Sequence, residues 1–289
     1  MEVPADDIAV ARILQYLAYI CTALMTFWTY DYVCSLHDEW TFLLQSRWTK
    51  VKYLYITARY IPFFLIAADI CLTLTPDESP KSCQIFINVY SCFAMISLTC
   101  SECFFVLRTY ALWSNNKVIL GVMLSTLFAV IVSFIGIWFT AIPKSQYFTS
   151  SAIPGIPGIT GGYRTSSSVE LYLPFVLLFL FQLGLVTLTL IRAIQDWRST
   201  RYPLHAALVK HNISYYACGL FFSALNVLVP VIFPGSAYHS FLEDFEVFIL
   251  AILATRMHLH LWHIDRNRNT FDGLNGISML DMLPVHRAG

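Results

Sequence analysis

Four ionisable side chains stand inside otherwise apolar stretches of this 289-residue chain. They are Asp31 in "MTFWTYDYVCSL", Arg59 in "YITARYIPFF", Glu102 in "LTCSECFFVL" and Arg256 in "AILATRMHLH". Two carboxylates and two guanidiniums sum to zero charge. The chemistry open to such a set is a buried ionic lock, a switch whose pairs exchange, or a relay for protons or ions. If those stretches cross a bilayer, an unpaired charge near the middle costs about 2.5–3.5 kcal/mol on insertion scales. Four of them approach the whole stability of a typical protein. The side chains are therefore expected to point inward and pair. Chain order makes Asp31–Arg59 and Glu102–Arg256 the natural partners, with exchange between them open.

The composition supplies the bilayer. Hydrophobic residues make up 57% of the chain and charged residues 12%, with mean hydropathy +0.62. A soluble domain carries about 25% charged residues. Basic and acidic residues balance at 18 each, so net charge points to neither nucleic acid nor anionic lipid. A helix needs roughly 20 apolar residues to cross a hydrocarbon core. Seven runs reach that length, at about 9–36, 51–74, 84–112, 118–142, 170–192, 210–234 and 243–264. Seven in succession leave no polar surface to cover them in water. The acidic leader "MEVPADD" does not resemble a signal peptide.

Lysine and arginine set the expected orientation. Arg12, Lys81, Lys144 and Arg164 flank one side; Arg59 and Arg256 lie within spans; the other twelve follow spans one, three, five and seven. The N-terminus (1–8) is thus predicted outside, the membrane domain at 9–264, and a cytoplasmic, disordered tail at 265–289. On this reading the four buried charges share one depth band, roughly 7–15 Å from the cytoplasmic span ends. Between spans one and two, Trp40, Leu43, Leu44, Trp48 and Val51 have helical spacing and predict a short helix in the headgroup layer. The outer loop 143–169, rich in Pro, Gly and Ser, is expected to be irregular.

Two polar stripes suggest a pocket. Asn88, Ser91, Met95, Thr99 and Glu102 share a face of span three, and Asn212, Tyr216, Gly219, Ser223, Asn226 and Pro230 share one of span six. Such stripes mark helix contacts or an internal cavity. Pro174 and Pro230 are expected to kink spans five and six. The candidate ligand pocket, bounded by spans three, five, six and seven, then takes Asn88, Ser91, Thr99, Ser223 and Asn226 as its polar lining. Cys71 and Cys83 flank one short outer loop and could form a disulfide if that loop faces an oxidising compartment.

No HExxH, GxSxG, Walker or dinucleotide pattern occurs, so no catalytic residue is assigned. His258, His260 and His263 do not converge as metal ligands require, and no metal or cofactor is expected. All six lysines lie in loops or at span ends, which excludes a rhodopsin-type retinal site. Seven spans with an outside N-terminus superficially resemble a G-protein-coupled receptor. However, "FVLRTYALW" lacks the acid before its arginine, and span seven has no NPxxY.

A closer resemblance is carried by "YDYVCSLHDEWTFLLQSRWTKVKYLYITARYIPF". It resembles the N-terminal segment of a mushroom-forming fungal family known as the domain of unknown function 6533 family. The matching positions are Tyr30, Asp31, Glu39, Trp48, Lys52, Arg59 and Tyr60, and "LRTYALW" and "ILATRM" are similar downstream. The resemblance implies a multi-span membrane protein with no assigned activity. The reading as a whole is an all-α, seven-transmembrane-helix bundle of the plasma membrane. It is expected to be receptor-like or sensory, with a small-molecule ligand and a cytoplasmic signalling partner, and no nucleic acid. The alternatives are a transporter or channel using the buried charges as a polar path and, last, a membrane enzyme.

Overall fold

The computed structural model describes residues 5–46, 48–74, 80–113, 116–141, 146–149, 162–165, 173–199, 203–232 and 238–281. It contains seven helices: α1 (Ala5–Gln45), α2 (Lys50–Leu74), α3 (Pro80–Leu112), α4 (Lys117–Ala141), α5 (Leu173–Ser199), α6 (Pro203–Ile232) and α7 (Tyr238–Asp281). Each of the seven apolar runs lies largely or wholly within one helix. Pro80 and Pro203 open α3 and α6, where the missing N–H has no intrahelical acceptor to lose. Six helices, α2 to α7, are long and apolar enough to cross a membrane. Among the described residues α1 is not one of them.

Four expectations change. No separate headgroup helix follows the first span: α1 runs unbroken for 41 residues, about 60 Å at 1.5 Å each. The sequence favours this, because no glycine or proline interrupts 5–45. The outer loop is not wholly irregular, since β1 (Gln146–Thr149) and β2 (Gly162–Thr165) pair antiparallel with Tyr147 opposite Arg164. Pro174 does not kink a span; it is the second residue of α5, in the first turn, where its ring fits. Pro62 and Pro230 are the prolines inside helices. Finally, α7 continues past Asn267 to Asp281, where the polar composition suggested disorder.

Helix α7 is the central rod, packed against α1, α2, α3 and α6, while α4 lies at the periphery against α3 and α5. The main apolar core joins Phe42, Tyr55, Phe104, Phe105, Leu178, Leu185, Leu250 and Met257. A second cluster gathers Leu24, Trp28, Leu65, Phe248 and Ala251 from α1, α2 and α7. Trp28 is fully buried, with edge-to-face contacts to Phe63 at 5.9 Å and Phe248 at 5.7 Å. The buried stripe of α1 is Leu24, Trp28, Asp31, Ser35, Glu39 and Phe42, spaced three or four residues apart. The polar members therefore continue the same face as the apolar ones. Burial of Asp31 follows from helical register.

A buried charge cluster as candidate functional site

Asp31, Ser35 and Glu39 lie at i, i+4 and i+8 on α1, so their side chains form a ladder along one face. Arg59 of α2 faces that ladder. Its Nη1 donates to Asp31 Oδ2 at 2.7 Å, and its Nη2 donates to Ser35 Oγ and pairs with Glu39 Oε1, both at 2.5 Å. Ser35 Oγ in turn donates to Glu39 Oε1 at 2.8 Å. The planar guanidinium suits this role because its donors fan out in a fixed fork. It also lies 5.1 Å from the Trp28 ring centroid and 5.5 Å from that of Tyr32. Arg59, Glu39 and Ser35 are each 1% exposed.

From α7, Arg256 reaches the other oxygen of the same aspartate. Its Nε and Nη2 both lie 2.8 Å from Asp31 Oδ1. Asp31 thus joins α1 to both α2 and α7. The two arginines differ in access: the Arg59 side chain is 1% exposed and that of Arg256 39%. Asp31, Glu39, Arg59 and Arg256 together carry no net charge, so the cluster is neutral without any outside ion.

Three of the four charges singled out in the sequence meet here; the fourth does not. Glu102 is not a partner of Arg256. It lies between α3 and α5, where Gln182 Nε2 donates to its Oε1 at 2.5 Å. Its place in the cluster is taken by Glu39, which the sequence offered only as a position of the family resemblance. The signal that finds Glu39 is its eight-residue offset from Asp31, two helical turns along the same face.

Lys52, read from the sequence as an orienting cation, is instead 2% exposed. Its Nζ donates to the backbone carbonyls of Leu43 at 2.7 Å and Ser46 at 2.9 Å, and lies 4.3 Å from the Trp48 ring centroid. The last carbonyls of a helix lack intrahelical partners and carry its negative dipole end, so an ammonium from the next helix satisfies both needs. We expect Lys52→Met to lower stability by about 1–2 kcal/mol, read from thermal unfolding in lipid nanodiscs. Lys52→Arg should recover part of that loss.

The predicted pocket residues separate. Ser223 and Asn226 are buried in the interior of α3, α5, α6 and α7. Asn88, Ser91 and Thr99 are only half-buried, and the buried polar positions of α3 are Ser97, Ser101, Glu102 and Thr109. The inward face thus lies beside the one predicted. The cavity among these four helices holds about 10 Å³, room for a water-sized particle and too little for an organic ligand. An apolar groove of about 380 Å³ lies between α4 and α5, lined by Val122, Ala129, Ser133, Leu180 and Gly184 among others.

Next to the charge cluster, His258 sits against the rings of Phe42, Tyr55 and Phe104, with Arg108 Nη2 3.5 Å from its Nδ1. Among the described residues no three His, Cys, Asp or Glu side chains gather as metal ligands would. The suggested Cys71–Cys83 bridge involves the side chain of Cys83, which lies outside the described residues.

Six apolar helices long enough to cross a bilayer make this a helical, multi-pass integral membrane protein. The model of a family described as "Family of unknown function (DUF6533)" matches residues 19–64, in agreement with the resemblance read from the sequence. That segment holds Asp31, Ser35, Glu39, Lys52 and Arg59, every charged residue of the cluster except Arg256. No curated protein matches the chain.

Proposed function

We propose that the protein is a receptor-like or sensory membrane protein with its N-terminus outside, seven spans counting α1, and the charge cluster in the cytoplasmic half. The observation that carries this reading is the sharing of Asp31 between a sealed arginine and an accessible one. Arg59 fixes α2 to α1 permanently, whereas Arg256 can exchange its carboxylate for water, a headgroup or a cytoplasmic partner at modest cost. Releasing it frees the inner end of α7, the helix that contacts most of the bundle. A ligand that favours either arrangement would shift the population between them.

A transporter or channel is the second reading, favoured by a file of polar groups along α3, α5, α6 and α7. Thr109, Thr189 and Tyr216 meet at one level, Glu102 and Gln182 at the next, and Asn226 and Glu246 beyond. One experiment separates the two. Spin labels at Trp40 of α1 and His260 of α7, in protein freed of exposed cysteines and reconstituted in vesicles, report the separation of these helices. The receptor reading expects Arg256→Gln to broaden and lengthen that distance while both proteins leave the vesicles ion-tight. An unchanged distance contradicts the lock. Ion flux through the wild-type protein supports the transporter.

A further inference from the structure

Glu102 lies outside the charge cluster and has no cation of its own. It is 1% exposed, and among the described residues it forms no ion pair. Arg256 is held by Asp31, and Arg108, six residues further along α3, lies beside His258. An unpaired carboxylate within a span costs about 2.5–3.5 kcal/mol on insertion scales. A buried group in that position takes up a proton and becomes neutral.

Its one polar partner is what a neutral carboxyl requires. Gln182 Nε2 donates to Glu102 Oε1 at 2.5 Å. The remaining oxygen of each group, Glu102 Oε2 and Gln182 Oε1, is buried and has no hydrogen-bond partner. Such orphans are rare in native proteins. As they stand, the two are both acceptors and cannot satisfy each other. A proton on Glu102 Oε2 turns that oxygen into a donor, and Gln182 Oε1 belongs to the same amide that already touches the carboxyl. One hydrogen thus satisfies both orphans and removes the charge. Both residues line the cavity of about 10 Å³ together with Tyr216, Gly219 and Leu250, so one water can carry the bond where the oxygens do not meet directly. Water alone would leave the carboxylate charged. The side chains around the pair supply no cation. Tyr216 of α6 donates its hydroxyl to the Phe105 carbonyl at 2.7 Å. Helix α5 has no charged residue before Arg192, and α4 none after Lys117. The neighbours on α3 are the half-buried thiols Cys100 and Cys103, and on α7 Glu246, one turn from Leu250, accepts from Asn226.

We propose that Glu102 and Gln182 form a proton-binding site between α3 and α5. Glu102 Oε2 holds the proton and donates it to Gln182 Oε1, while Gln182 Nε2 donates to Glu102 Oε1. The pair is reciprocal and carries no net charge. The proton is taken from water as the helices pack, and no other bond forms or breaks. Giving it up would bare the charge, so release requires α3 and α5 to part and admit water. The site uses no residue of the charge cluster and stands whether the protein signals or transports.

Infrared spectroscopy of the purified full-length protein at neutral pH tests this, in a detergent without ester groups so that no lipid carbonyl overlaps. It reads the carbonyl stretch of an un-ionised carboxylic acid. The wild type should show that band, and Glu102→Gln should remove the share of one carboxyl. Gln182→Met deletes the partner in both hydrogen bonds and should move the Glu102 band to higher wavenumber, which decides the matter should Glu102→Gln fail to fold. No acid band in the wild type, a band that Glu102→Gln leaves at full strength, or a spectrum that Gln182→Met does not change would each overturn the proposal.

Discussion

Arg59→Met is expected to destabilise the protein by about 3–5 kcal/mol, the range for removing one partner of a buried ion pair. Arg59 neutralises two carboxylates on α1 at once, and its side chain is 1% exposed. Without it Asp31 retains Arg256, but Glu39 is left with the hydroxyl of Ser35 alone. A buried carboxylate with no cation is the large term, so Glu39→Gln added to Arg59→Met should restore part of the loss. The lost contact with Trp28 adds a smaller amount, about 0.5–2 kcal/mol. Denaturant or thermal unfolding in nanodiscs reads all three proteins. A loss under about 1 kcal/mol for Arg59→Met would show the arginine to be solvated in the bilayer.

Asp31→Ala should come second, at about 3 kcal/mol. The aspartate touches both arginines, so its loss unlinks α1 from α7 as well as weakening its link to α2. The effect is smaller than that of Arg59→Met for a structural reason. Arg59 keeps Glu39, and Arg256, already 39% exposed, can turn to water or headgroups. The same exposure limits Arg256→Gln to about 1 kcal/mol or less. The expected order of loss, Arg59 then Asp31 then Arg256, follows burial; a simple count of ion pairs would instead put the Asp31 substitution level with that of Arg59.

Much of the fold was legible because the bilayer imposes a coarse rule. A helix that crosses lipid must be long and apolar, so the runs at 51–74 and 118–142 give α2 and α4 to within a residue or so. The errors lie where that rule is silent. Residues 37–45 are polar enough to leave the hydrocarbon, and composition cannot tell whether a helix stops there; backbone propensity, unbroken by Gly or Pro, carries α1 to Gln45. The site shows the same limit. Their charge within apolar runs nominated Asp31, Arg59 and Arg256, and the three side chains meet in the structure. Which acid completes the set depends on helix rotation, and there Glu39 replaces Glu102. Rotation also explains the α3 stripe: Ser97 and Ser101 face inward where Ser91 and Thr99 were expected, because a stripe as long as Asn88–Glu102 tolerates several nearly equivalent faces.

The central claim is that Glu39, not Glu102, completes the neutral set formed with Asp31, Arg59 and Arg256. Two double-mutant cycles measured by unfolding in nanodiscs test it most directly. In the first, Glu39→Gln and Arg59→Gln should couple by about 2 kcal/mol or more, the double variant being far less damaged than the sum of the single ones. In the second, Glu102→Gln and Arg256→Gln should add within about 0.5 kcal/mol. Additivity in the first cycle together with coupling in the second would contradict the observed arrangement and restore the pairing suggested by chain order.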